Sequence, residues 1–149
     1  MATIEAYYRH EHGDKPVRIQ TDEDLDALVD ALLAEPYENS VAALYVEGRL
    51  NAAGVPDHEL LVAVNHEDRV GGLRFMGDGG TYFSAGEPSR HDEVIYYYMG
   101  NDREFPRASE ITIDTLRKAV KTFLANGGHR PTGVEWTGAS SGELEQGPA

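Results

Sequence analysis

The chain has 149 residues, no cysteine, and a formal net charge of −13 from 26 Asp and Glu against 13 Lys and Arg. Without cysteine there is no disulfide scaffold, thiol nucleophile or thiolate-bound zinc. So acidic a chain is a poor match for phosphate backbones or anionic membranes, both of which call for clustered Lys and Arg. A basic protein partner fits better.

The length suits one domain. The N-terminus has no basic stretch leading into an apolar run, and no apolar run approaches the roughly 20 residues of a membrane-spanning helix. A cytoplasmic protein is expected.

Residues 3–10 (TIEAYYRH) are rich in β formers and predict a strand, followed by a turn at 11–14. Residues 16–20 (PVRIQ) can pair back as an edge strand, where Pro16 is tolerated. Thr21 opens a helix, with Asp24 completing a capping box and Asp22, Glu23 and Asp24 placed where the helix dipole favours anions. Leu25, Leu28, Val29 and Leu32 form its apolar stripe, and Pro36 closes it.

Strands are expected at 41–46, 60–65, 70–76, 81–84 and 94–99, the last (VIYYYM) giving the strongest signal. Glycine turns between them suggest an antiparallel meander. Gly71 and Gly72 inside a strand hint at a bulge or a close backbone approach. A second helix over 113–126 buries Leu116, Ala119, Val120 and Phe123 and stops at Gly127-Gly128. A last short strand at 134–137 carries Trp136, expected in the core. The pattern is α+β: a sheet of about six to eight strands with two main helices, in one domain over 1–137. Residues 138–149 form a small, polar, acidic tail expected to be disordered.

Motifs for chemistry are sparse. His10-Glu11-His12 lies at a turn without an evident third ligand, so no metal is expected. No glycine cluster is a Walker loop or opens a helix after a strand. Ser84, Ser89, His91 and Asp92 supply triad residue types, but no G-x-S-x-G elbow exists. Tyr96, Tyr97 and Tyr98 alternate along their strand, two facing one way and one the other.

The run from Val94 to Gly100, then Glu104-Phe105-Pro106 and Ser109-Glu110-Ile111, resembles the first immunity-protein family of bacterial polymorphic toxin systems. So do residues 119–128 (AVKTFLANGG) followed by 130–136 (RPTGVEW), and, upstream, Gly71-Gly72-Leu73 and the turn at 78–82. The similarity spans roughly 41–136, with Thr112 where a proline would be expected before the second helix. It implies a small cytoplasmic α+β protein without cofactor or catalysis that binds a cognate toxin domain, often a nucleic-acid deaminase and sometimes a nuclease.

Such a toxin needs a basic substrate groove, which an acidic inhibitor can match. The candidate toxin-binding surface is the loop at 86–93 with Glu87, Asp92 and Glu93, together with Tyr97 and a loop carrying Asp102 and Glu104. The acidic helix face of Asp22, Asp26 and Asp30 is the second candidate. The alternative is a small hydrolase or transferase using His91 or His66 with a carboxylate.

Overall fold

The computed structural model describes residues 2–77 and 79–138. In chain order these form β1 (Ile4–Tyr7), a 3-10 turn (His10–Gly13), β2 (Val17–Ile19), α1 (Asp22–Ala34), a second 3-10 turn (Tyr37–Asn39) and β3 (Val41–Val46). Then come β4 (Glu59–Asn65), β5 (Val70–Gly77), β6 (Gly80–Ser84), β7 (Val94–Tyr98), β8 (Asn101–Phe105), β9 (Ile111–Thr112), α2 (Ile113–Ala125) and β10 (Trp136–Gly138). The architecture is α+β, with a mostly antiparallel eight-stranded sheet, two helices and a separate two-stranded sheet.

The main sheet runs β10-β6-β5-β4-β3-β1-β2, with β9 pairing the start of β5. The stretch β3 to β6 is the expected meander, and β2 takes the expected edge. Both helices lie on one face. Ile4, Ala42, Leu44, Leu60, Val62, Leu73 and Phe75 point into that layer and meet Leu25, Leu28, Val29 and Leu32 of α1 and Leu116, Val120 and Phe123 of α2. Each of the Val, Leu, Ile and Phe side chains contributes about 1.5–3 kcal/mol on full burial. Thr21 caps α1 as expected: its hydroxyl accepts the Asp24 N–H at 3.1 Å, and Asp24 accepts the Thr21 N–H at 3.2 Å. Glu35, which precedes Pro36, is extended and ends the helix.

The opposite face is covered in part by the β7–β8 hairpin. Val94, Tyr96 and Phe105 pack there on Val41, Ala43, Leu61, Ala63 and Phe83, making a smaller second core. The strongest strand signal therefore leaves the main sheet and builds a third layer. At Gly71 a Cβ would stand 2.4 Å from the Ala63 carbonyl oxygen and 2.6 Å from Leu116 Cδ1; at Gly72 it would stand 3.0 Å from the Phe105 ring. The close backbone approach expected there is real, and it seats α2 on one face and the hairpin on the other.

Three local expectations are corrected. Residues 102–104 are not a loop but lie within β8, paired to β7 through the two-residue turn Met99-Gly100, both at positive φ (50° and 83°). The turn expected at 11–14 is present, largely as a 3-10 turn whose His12 is buried and accepts the Tyr8 and Arg9 N–H groups on Nδ1, both at 3.1 Å. Trp136 is only partly buried: its ring edge meets Phe75, and its indole N–H donates to the Pro131 carbonyl at 2.9 Å. Gly138, placed in the tail from the sequence, ends β10, while residues 139–149 lie outside the described residues.

Candidate functional site

Pleat alternation sorts the hairpin into two faces. Val94, Tyr96 and Tyr98 face the sheet, and Ile95 and Tyr97 face away, as the tyrosine triplet implied. In the β7–β8 register Tyr97 pairs with Asp102 and Ile95 with Glu104. Residues directly opposite on an antiparallel pair share a face, so Tyr97, Asp102 and Glu104 come together on the hairpin's outer face. The segment carrying Glu87, Asp92 and Glu93 leads into β7, and all three acids are exposed. Its path is fixed at Gly86, where a Cβ would sit 1.8 Å from the Glu110 carbonyl oxygen, and by the Glu87 N–H donating to that carbonyl at 3.2 Å.

Between this segment and the body lies a cleft of about 360 Å³ lined by Tyr37, Glu67, Glu93, Tyr96, Tyr97 and Glu110, with Asn65 and His91. Tyr37 donates its hydroxyl to the Ile95 carbonyl at 2.7 Å, and burial, reinforced by nearby Tyr97 and Asp68, pushes its pKa up to about 12. Tyr96 is 1% exposed, and its hydroxyl has no hydrogen-bond partner among the described residues. Arg90 and His91 both bind Asp68, at 2.6 and 2.8 Å, and hold its carboxyl below the usual range. Among the described residues Glu67, Glu93 and Glu110 form no ion pair.

The sequence candidates divide between the two sides of the sheet. Glu93 and Tyr97 line the cleft, Asp102 and Glu104 share the outer hairpin face with Tyr97, and Glu87 and Asp92 lie on the adjoining segment. On the helix side, Asp26 accepts from Arg117 at 3.1 Å and from Lys121 at 3.0 Å, and Asp30 accepts from Arg117 at 2.5 Å. Only Asp22 of that set has no ion pair among the described residues. Tyr37, Glu67 and Glu110 join the cleft unforeseen, because they are distant in sequence and carry no motif.

A second concavity, about 860 Å³, opens on the same sheet face beyond the hairpin, with Glu5, Tyr7, Tyr45, Glu59 and Met76 along it. Tyr45 donates its hydroxyl to Glu59 at 2.5 Å; burial first, and then Glu59, pushes its pKa far up. Beside it His58 is buried, with Nε2 accepting the Val46 N–H at 2.7 Å. Nδ1–H then donates to Asp57 at 2.9 Å.

Of the residues named for a hydrolase, the two serines hold backbone groups, and His91 pairs with a carboxylate, Asp68. Ser84 Oγ accepts the Leu73 N–H at 3.0 Å and donates to the Ser109 carbonyl at 2.7 Å. Buried Ser89 accepts the His91 backbone N–H at 3.0 Å, while the His91 ring goes to Asp68. His66 sets its ring edge against Tyr37. Among the described residues no helix is long and apolar enough to cross a membrane, and no three His, Asp or Glu side chains gather as a metal site.

The geometry defines a small α+β domain with tyrosine-lined, acid-bearing hollows on the face away from its helices. The family model for immunity protein Imm1 matches residues 13–138, and the chain belongs to that family. It is an immunity protein, and the family implies a cognate toxin as its partner. A comparison with curated proteins gives no match.

Proposed function

We propose that this immunity protein neutralises a toxin domain that acts on nucleic acid, a deaminase or a nuclease, by covering its substrate groove with the hairpin side of the sheet. The toxin-contacting residues are Glu87, Asp92, Glu93, Tyr97, Asp102 and Glu104, and the protein works in the cytoplasm, where that toxin meets nucleic acid. The observation that carries this reading is how the acids are paired. Asp26 and Asp30 of α1 are tied to Arg117 and Lys121, whereas none of the five hairpin-side acids forms an ion pair among the described residues. Unpaired carboxylates project a field toward solvent that speeds encounter with a basic groove, and Tyr97 supplies a rigid aromatic contact among them. The role is inhibitory and non-catalytic.

The test is association kinetics with the catalytically inactivated toxin domain encoded beside this protein. The on-rate is expected to fall at least about tenfold between about 20 and 150 mM salt. Asp102→Lys with Glu104→Lys should slow it further, while Asp22→Lys should leave it nearly unchanged. A salt-independent on-rate, or equal slowing by Asp22→Lys, would refute the assignment of the hairpin side.

A further inference from the structure

We propose that the open groove between β1, β3, β4 and β6 seats an apolar segment of the cognate toxin that carries one Lys or Arg side chain; this rests on the immunity reading above. Among the described residues the exposed large hydrophobics are Leu50, Val55 and Met76, at 54%, 51% and 36%. Met76 lines the groove, and Leu50 and Val55 project from the loop whose Asn51, Pro56 and Asp57 also line it. An exposed apolar side chain in the groove, with two more on the loop that forms part of its wall, marks a contact site.

The loop that presents them is built rather than slack. The Asn51 N–H donates to the Val55 carbonyl at 2.7 Å, and Asn51 Oδ1 accepts the Ala53 N–H at 2.8 Å. Leu50 bridges to Pro56. Arg49 clamps the loop's end, reaching Asp57 at 3.1 Å and the Gly127 carbonyl at 2.9 Å. Nothing in the domain's own packing requires Leu50 or Val55 to be apolar, since both face solvent. Their positions are already fixed, so a partner would bind without ordering them.

The charge of the groove selects the occupant. Its lining carries Glu5, Asp57 and Glu59 and no Lys or Arg. Arg49 is spent on Asp57, and Arg74, on the same sheet face, is half-buried in the field of Glu59. The rings of Tyr7 and Tyr45 meet edge to face at 5.9 Å between Glu5 and Glu59. That setting suits the stem of a Lys or Arg against the rings, with its head at the carboxylates. An acidic or purely polar segment would find the wrong charge and leave Leu50, Val55 and Met76 exposed.

The experiment compares wild type, Leu50→Asp/Val55→Asp and Glu5→Lys in surface-plasmon binding to the inactivated adjacent toxin domain, with melting curves as the folding control. The apolar double variant should melt like wild type and bind about 30-fold more weakly, through a faster off-rate. Glu5→Lys should also weaken binding, by at least about fivefold. Unchanged affinity of the double variant overturns the docking site while leaving the immunity reading intact. Loss of affinity in the double variant alone, with Glu5→Lys silent, overturns the cationic occupant. Failure of wild type to bind overturns the immunity reading and this inference together.

Discussion

Replacing Tyr96 with Phe removes one oxygen from the most enclosed part of the cleft, and the structure sets the sign of the effect. Tyr96 heads the fully buried side chains at 1% exposure, with the Phe105 ring edge to face at 5.0 Å and Tyr37 stacked at 6.3 Å. Its hydroxyl gave up water on folding and gained no partner among the described residues, a cost of about 1–3 kcal/mol. Phe keeps the rings in place and removes that cost. It loses only the dispersion contacts of a single atom, at about 0.1–0.2 kcal/mol each. The net expectation is a gain of about 1 kcal/mol, or a rise in Tm of about 3 °C. Urea unfolding should show a higher midpoint with an unchanged slope. Toxin affinity should stay unchanged, because the hydroxyl has no accessible surface for a toxin side chain to reach. A destabilisation of about 1 kcal/mol would refute the reasoning, because it would mean that the hydroxyl makes a bond the fold depends on.

Gly71→Ala should lower stability by at least about 2 kcal/mol, because the new methyl would meet the Ala63 carbonyl, which cannot move without disturbing the β4–β5 ladder. Gly72→Ala, whose tight contact is with the Phe105 ring alone, at 3.0 Å, should cost less; equal losses in thermal melts would refute that account. Burial holds His58 below its ordinary value of 6.5, partly countered by Asp57, so the unfolded chain binds more protons in the window below 6.5. Stability is therefore complete above about pH 6.5 and declines on acidification, with Asp24, Asp26, Asp57 and Asp68 adding losses below about pH 4, since each is held low by its partners. His58→Gln, which can still accept from Val46 and donate to Asp57, should flatten the upper part of that decline in a Tm-against-pH series; parallel curves would count against it.

The elements legible in the sequence are those whose signals are local. Thr21, Asp24 and the Leu25–Leu32 spacing define α1 without help from the rest of the chain, and the family resemblance matches the family assignment. Alternation in residues 94–98 marks a strand, but nothing in alternation says which sheet it joins. β8 was hidden because Asn-Asp-Arg-Glu-Phe has little β propensity: the Met99-Gly100 turn and the burial of Phe105 impose its pairing. Trp136, expected in the core, lies on the terminal strand of the sheet and is only partly buried. In the site, Glu93 and Tyr97 were reachable because they flank or belong to one strand. Tyr37, Glu67 and Glu110 come from a 3-10 turn, the β4–β5 turn and the approach to β9, and only tertiary pairing joins them. Leu50 and Val55 lie in a turn-forming stretch that also holds Ala52 and Ala53, so nothing in the sequence sets them apart.

The net charge of −13 says less about recognition than its partition does. Arg117 and Lys121 project from α2 onto α1 because the two helices share one face of the sheet, so packing the helices also neutralises Asp26 and Asp30. Arg9 and Arg18 are likewise spent, on Glu35 and Glu47. Arg103, the basic residue of β8, lies over the Tyr98 ring on the hairpin's inner side, leaving Asp102 and Glu104 outside. Strand alternation thus has the opposite effect on the hairpin from helix pairing on α1: Asp26 and Asp30 are compensated, whereas Asp102 and Glu104 keep their charge. The hairpin also divides the far sheet face into an acidic cleft by Asn65 and an apolar-rimmed groove by Glu59, at opposite ends of β4 and about 20 Å apart at strand rise. A toxin domain lying across the hairpin would meet charge at one end and apolar surface at the other. The cleft side would then govern how fast the complex forms, and the groove how long it lasts.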